Sequence, residues 1–196
     1  MLESLPFREA PLCIRALTRR DLDTLAAWPA YPWPYESFAL RFGTMNPAQL
    51  DALIAARSAD PHRITLVADH PDQPCVAYLG LVQIDWQKGF VGNMGYRIHP
   101  DWCDRGLGTR IMQAVCRWFL SHGFQTLRLD VAAANARAIR CYEKAGFVKT
   151  GEFWQEDTPT RKIDLSEPRY DFLRLHVRFE GSTAFLRFWW MECRRG

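Results

Sequence analysis

Apolar residues recur along this chain at two periods, and the switching between them predicts most of its elements. Ile111, Met112, Val115, Cys116, Phe119 and Leu120 follow Leu107 at helical spacing, and Gly123 then acts as a stop, so a helix is predicted there. Leu127, Leu129 and Val131 alternate with Arg128 and Asp130, which predicts a strand over 126–131; a helix over 135–145 follows, ended by Gly146. Upstream, 11–17 reads as a short strand, and Thr18 or Asp21 caps a helix carrying Leu22, Leu25, Ala26 and Ala27. Asn46 as cap with Pro47 at the first position predicts a helix to residue 57. Strands are predicted over 63–68, 75–84 and 90–98, the last two joined as a hairpin through 85–89; 148–154 reads as a strand and 155–168 as a polar loop.

In the tail, Leu173, Leu175, Val177 and Phe179 share one strand face and Arg174, His176 and Arg178 the other, before Glu180-Gly181-Ser182 turns the chain into a strand over 183–193. The apolar face of this hairpin, near Phe185, Phe188, Trp189 and Trp190, would either close the core or pair two subunits as a homodimer. Its basic face reads first as a solvated surface.

With 196 residues, 48% of them hydrophobic, and no repeat or linker, the chain is expected to form one domain over 1–196. No signal-peptide pattern opens it, and its most apolar stretch, 183–191, is broken by Arg187, which predicts a soluble cytoplasmic protein with no membrane partner. Six cysteines without a CxxC pair imply reduced thiols, and five histidines without ligand spacing imply no metal site. A net charge of +3 is too small to predict nucleic-acid binding but suits a phosphorylated ligand. The segment 28–38 holds three prolines and five aromatic residues, so it cannot be a helix and is too apolar for an ordinary loop; it lines a site or pins itself to the core.

Gly106-Leu107-Gly108 opens a helix, where free N–H groups and the helix dipole favour an anion and the absent Cβ atoms let it approach. A nucleotide-triphosphate loop needs a lysine that Gly108-Thr109 lacks, and a dinucleotide fold needs a third glycine where Ile111 stands, although Asp130 lies where a ribose-binding acid would. Asn135, Ala138 and Tyr142, spaced by three and four, share one helical face, and small Ala138 leaves room beside it. Singly, Asn135 reads as a cap and Tyr142 as a packed ring.

Jointly, the turn, the strand and the Asn135-x2-Ala138-x3-Tyr142-x3-Gly146-Phe147 pattern resemble the GNAT family of acetyl-CoA-dependent N-acetyltransferases. The resemblance is strongest over 91–153. It implies an α/β fold with a mixed, mostly antiparallel central sheet of about seven strands flanked by about four helices. That sheet would be splayed between the fourth and fifth strands, here 90–98 and 126–131, with an extended C-terminal hairpin. It implies acetyl-CoA as cofactor, its pantetheine arm alongside Tyr96, Arg97 and Ile98, and its pyrophosphate on the amides of Cys103, Asp104, Arg105, Gly106, Leu107, Gly108 and Thr109. Asn135 would hold the pantetheine region beside Ala138, and Tyr142 would donate the proton to the departing thiolate.

Cys103 and Asp104 depart from the family's Gln/Arg and Gly at those turn positions, which predicts weakened cofactor affinity, with Arg105, Arg110, Arg137 and Arg140 available to compensate. No glutamate lies on 90–98, and Asn93 stands where many relatives place one, so the base is open among Asp85, Glu36 and a water chain. The acceptor, a primary amine of a small molecule, an antibiotic or a peptide N-terminus, would meet Trp28, Tyr31, Trp33 and Glu36. A non-catalytic acyl-CoA sensor is the alternative, and nucleic-acid binding through the tail ranks last.

Overall fold

The protein, described by a computed structural model over residues 5–35, 42–158, 160 and 163–195, is built on one nine-stranded sheet. In chain order its strands are β1 (Phe7–Glu9), β2 (Leu12–Ala16), β3 (Ile64–His70), β4 (Gln73–Asp85), β5 (Phe90–Ile98), β6 (Thr126–Ala132), β7 (Val148–Glu156), β8 (Val177–Glu180) and β9 (Thr183–Arg194). The helices are α1 (Arg19–Ala26), α2 (Pro47–Ala59), α3 (Leu107–Ser121), α4 (Ala136–Lys144) and the single turn α5 (Asp171–Arg174). The order across the sheet is β1-β2-β3-β4-β5-β6-β9-β7, with β8 on β9. The mixed, mostly antiparallel sheet expected from the family resemblance is present, with nine strands rather than about seven, β1 being one the sequence did not signal.

The sheet opens at β5 and β6. These strands run parallel and pair only at Phe90↔Thr126 and Val91↔Leu127, while β4 and β5 pair along most of their length. Beyond Val91 the gap is spanned by side chains: Arg128 Nε donates to the Gly92 carbonyl at 2.9 Å, and the Asn93 amide donates to Asp130.

One sheet face packs α3 and α4 through Leu107, Ile111, Met112, Val115, Phe119, Ile139 and Tyr142, against Leu79, Leu81, Leu127 and Leu129. The other carries α1 and α2 over Val67, Cys75 and Tyr78 through Leu22, Leu25 and Leu50. Asn46 caps α2 as its sequence implied, accepting from the Gln49 amide at 2.9 Å while its own amide donates to Gln49 Oε1 at 2.8 Å.

The tail corrects the sequence reading. Residues 171–174 form a helical turn rather than the start of a strand, because Pro168 fixes the preceding turn and Arg174 donates to the carbonyls of Leu165 and Ser166, at 2.8 and 3.0 Å. Leu173 is buried while Leu175 is 82% exposed, so the four apolar residues share no single face. The period of two was accidental over half its length. β9 lies between β6 and β7 and is paired to both, which makes it part of the sheet's interior.

Candidate active site

The parting of β5 from β6 creates a cleft of about 430 Å³. Its lining runs from the turn before α3 to the α4 face and the far side of β6. At one end a short 3-10 turn over Pro100–Trp102 uses the Cys103 amide, which donates to Pro100 O at 3.1 Å. The chain then takes left-handed conformations at Asp104 (φ 59°) and Gly106 (φ 74°) before entering α3. The first intrahelical bond runs from the Arg110 amide to Gly106 O, which leaves the amides of Leu107, Gly108 and Thr109 without helical acceptors. At Gly106 a Cβ would meet nothing within 4 Å, whereas at Gly108 it would stand 3.4 Å from Cys141 Sγ and 3.6 Å from Ile98 and from Tyr96 Oη. The turn is thus open on the anion side and close-packed behind. Tyr96 Oη donates to Gly108 O at 3.1 Å and ties β5 to this turn, a role its sequence position did not signal.

Along the gap edge of β5, Tyr96 O accepts from Arg97 at 2.8 Å and Ile98 O accepts from Tyr31 Oη. Each carbonyl retains a second lone pair for a ligand amide. Burial pushes the Tyr31 phenol up to about 12. On the opposite wall, Asn135 caps α4 by accepting from the Ala138 amide at 3.1 Å, and Ala138 and Tyr142 line the cleft beside it. Tyr142 is buried, and desolvation raises its phenol pKa well above the ordinary value, an effect the positive charge of Arg97 opposes. The phenol therefore stays protonated at neutral pH.

The cleft gathers Tyr31, Tyr96, Arg97, Ile98, Cys103, Asp104, Gly106, Gly108, Thr109, Asn135, Ala138 and Tyr142 from the residues singled out in the sequence. Leu107 turns into the core, and Arg105 lies over the Trp102 ring at 5.4 Å. Of the four arginines, Arg137 and Arg140 reach the cleft; Arg137 pairs with Asp104 at 3.6 Å and stacks on Tyr35 at 4.0 Å. Arg110 instead donates to Ala10 O. Trp28 packs edge-on against His99, and Trp33 packs against Tyr170 and Phe172, at 6.5 and 5.8 Å, joining the aromatic segment to the tail. Glu36 lies outside the described residues. Asp85 sits in the β4–β5 turn, accepting from the amides of Gln87 and Lys88, and does not line the cleft. Asp130, Asn93 and Phe188 do line it. The period-two pattern had already put Asp130 on the polar face of β6, but nothing local to the sequence shows that this face borders a gap.

A splayed sheet with an amide-rich turn at one end of the gap and a buried phenol in its wall defines an acyl-CoA-dependent acyltransferase. The residues fit the cofactor: the open turn at Gly106 has free first-turn amides for a pyrophosphate, and the edge of β5 has carbonyls for an amide-bearing arm. The model of the acetyltransferase (GNAT) family matches residues 24–147, and the chain belongs to that family. It is 27% identical to aminoglycoside N(6')-acetyltransferase type 1 of Klebsiella pneumoniae over 158 residues, 74% of this chain and 78% of that one. It is 29% identical to the [ribosomal protein bS18]-alanine N-acetyltransferase of Salmonella typhimurium over 140 residues, 68% of this chain and 79% of that one. The crystal structure of spermidine N-acetyltransferase from Vibrio cholerae with CoA and spermine superposes with a TM-score of 0.64 at 16% identity, over 95% of this chain and 96% of that one, a likeness of fold. The protein is an acetyl-CoA-dependent N-acetyltransferase, and the sensor alternative is not favoured.

Among the described residues no group of three or more histidine, cysteine or acidic side chains could hold a metal, and no helix is long and apolar enough to cross a membrane. The basic tail residues have partners: Arg178 pairs with Glu180 at 3.2 Å and lies over Trp154, and His176 lies 3.0 Å from Arg187.

Proposed function

We propose that the chain acetylates a primary amine of a small, cationic acceptor. The observation that carries this reading is the burial of the Tyr142 phenol in the wall of a cleft that Tyr31, Asp130 and Phe188 also line, which brings aromatic rings and a carboxylate into the same space. The aminoglycoside relative supports a small-molecule acceptor, and the alanine N-acetyltransferase keeps a peptide N-terminus as the competing one.

Acetyl-CoA, when bound, supplies the acyl group as a thioester. The amides of Leu107, Gly108 and Thr109 would receive its pyrophosphate, and the wall formed by Ala138 would leave room for the arm. Tyr142 Oη holds the proton that the leaving sulfur needs; burial makes the phenol a weaker acid, and the positive charge of Arg97 opposes that rise and offsets the charge the oxygen acquires.

Thiol release with kanamycin, spermidine and an alanine-terminated peptide as acceptors tests the acceptor class. Kanamycin or spermidine should turn over with kcat/KM at least tenfold above the peptide; the opposite order would replace the small cation with a peptide N-terminus. In Tyr142→Phe, turnover should fall by roughly 100-fold while acetyl-CoA affinity stays within twofold. Unchanged turnover would remove Tyr142 as the acid.

A further inference from the structure

Where β5 and β6 lose their ladder, a side-chain bridge takes over, and it is built around a carboxylate. Asn93 Oδ1 accepts from the Met94 amide at 2.7 Å and the Asp130 amide at 3.3 Å, which fixes the Asn93 side chain so that its Nδ2 donates to Asp130 Oδ1. Asp130 Oδ2 has no hydrogen-bond partner among the described residues, and Asp130 lines the cleft. Of the cleft's other charged groups, Asp104 is drawn to Arg137 at the turn before α3, Arg97 donates to Tyr96 O, and Arg140 and Lys144 belong to α4; Arg128, two residues from Asp130 and outside the cleft lining, donates to Gly92 O and lies over Trp190 at 4.5 Å. Asp130 is therefore the one carboxylate lining the cleft, among the described residues, that is not committed to a cation. Asp130 and Tyr142 line the same cleft, and the negative charge of Asp130 adds to the rise of the Tyr142 phenol.

Beside this bridge the floor is bare. Gly80 and Gly95 stand opposite each other on β4 and β5, and a Cβ on Gly95 would meet nothing nearer than Gly80 O at 4.0 Å. Gly95 lies two residues from Asn93 on the same strand face and lines the cleft. A cross-strand pair of glycines stabilises a strand poorly, and here it leaves free volume next to a carboxylate.

We propose that Asp130, aimed across the opening by Asn93, is the carboxylate that receives the acceptor's ammonium group, with the carbon skeleton lying over Gly95. The inference deepens the acetyltransferase reading and rests on it. The ammonium pairs with Asp130 Oδ2 and passes one proton to it and on to solvent. The freed nitrogen lone pair forms the N–C bond with the acetyl carbon, the C–S bond breaks, and its electron pair stays on sulfur, which takes the Tyr142 proton. The second nitrogen proton, acidified by bond formation, returns to the phenolate.

Calorimetry and steady-state kinetics on the full chain test this, with kanamycin and spermidine as probes. Asp130→Asn should lower kcat/KM at least 100-fold and abolish measurable amine binding, with acetyl-CoA affinity within twofold of the parent as evidence that the cleft is intact. Asp130→Glu should recover part of the loss, and Asn93→Ala should raise the acceptor KM about tenfold by releasing the carboxylate. Gly95→Val should raise the acceptor KM and leave cofactor affinity alone. Amine binding and turnover in Asp130→Asn within twofold of the parent would overturn the proposal. If the parent binds an amine but transfers no acetyl group, the acetyltransferase reading fails while Asp130 is still decided by the binding comparison; if the parent binds neither probe, the ammonium site itself is refuted.

Discussion

At Asp104 two costs meet in one residue. Its φ of 59° is the conformation glycine adopts freely and aspartate adopts at roughly 1 kcal/mol. Its carboxylate also stands in the turn proposed to receive the pyrophosphate, held 3.6 Å from Arg137. If the cofactor's phosphates bind there as proposed, Arg137 would be divided between neutralising Asp104 and meeting them. Asp104→Gly relieves the backbone, removes the repulsion and frees Arg137, so acetyl-CoA affinity should rise by roughly three- to tenfold in equilibrium binding at low salt, with the gain shrinking at high salt. An unchanged dissociation constant would mean that the carboxylate points away from the bound phosphates. The family resemblance implied that Asp104 stands where a glycine is common, but the Arg137 partner could not be read from the sequence, since the two residues are joined only by the way α4 packs beside the turn.

At the scale of elements, α1 is fastened to the sheet by an ion network rather than by its short apolar face alone. Asp21 is buried, accepts from both guanidinium Nη atoms of Arg15 at 2.7 and 2.8 Å and from Thr18 N and Oγ1 at 2.7 and 2.8 Å, while Arg15 also reaches Asp69 on β3. Burial pushes the Asp21 carboxyl up, but the Arg15 and Thr18 bonds prevail and hold it at about 2. A carboxyl lowered on folding contributes stability above its unfolded pKa, near 3.8, and that contribution is lost as pH falls through 3.8 toward 2. Denaturant titrations should therefore show a steep loss of stability below about pH 4 that flattens in Asp21→Asn, which should itself cost about 3 kcal/mol at neutral pH. A parallel acid limb in that variant would exclude Asp21 as its source. The helix, and Asp21 as a candidate cap, were legible in Thr18-Arg19-Arg20-Asp21; the link to Arg15 and Asp69 was not, because it depends on β2 pairing with β3.

For the whole molecule, the sequence carried the elements well and the connections poorly. Period and capping located α1 to α4 and the strands β2 to β7, and the α3–α4 motifs identified the family, because those signals are local. The opening of the sheet was implied by the family resemblance, but its cause lies in two long-range facts: the β5–β6 ladder stops after Val91, and β9 returns from the tail to cover the other edge of β6. β9 pairs with β6 from Phe188 to Arg194 and with β7 from Phe185 to Glu192, so the strand bearing Asp130 is held at the gap by a partner more than fifty residues away in sequence. A chain ending at Arg174 keeps the cofactor turn and Tyr142 but loses this partner, exposing the ladder groups of β6 and β7 and uncovering Leu129 from Met191. It should lose cooperative thermal unfolding and acetyl-CoA binding together. A truncated chain that still melts cooperatively and binds acetyl-CoA would show that β6 keeps its place without β9, and that the gap is set by β5 and the helices alone.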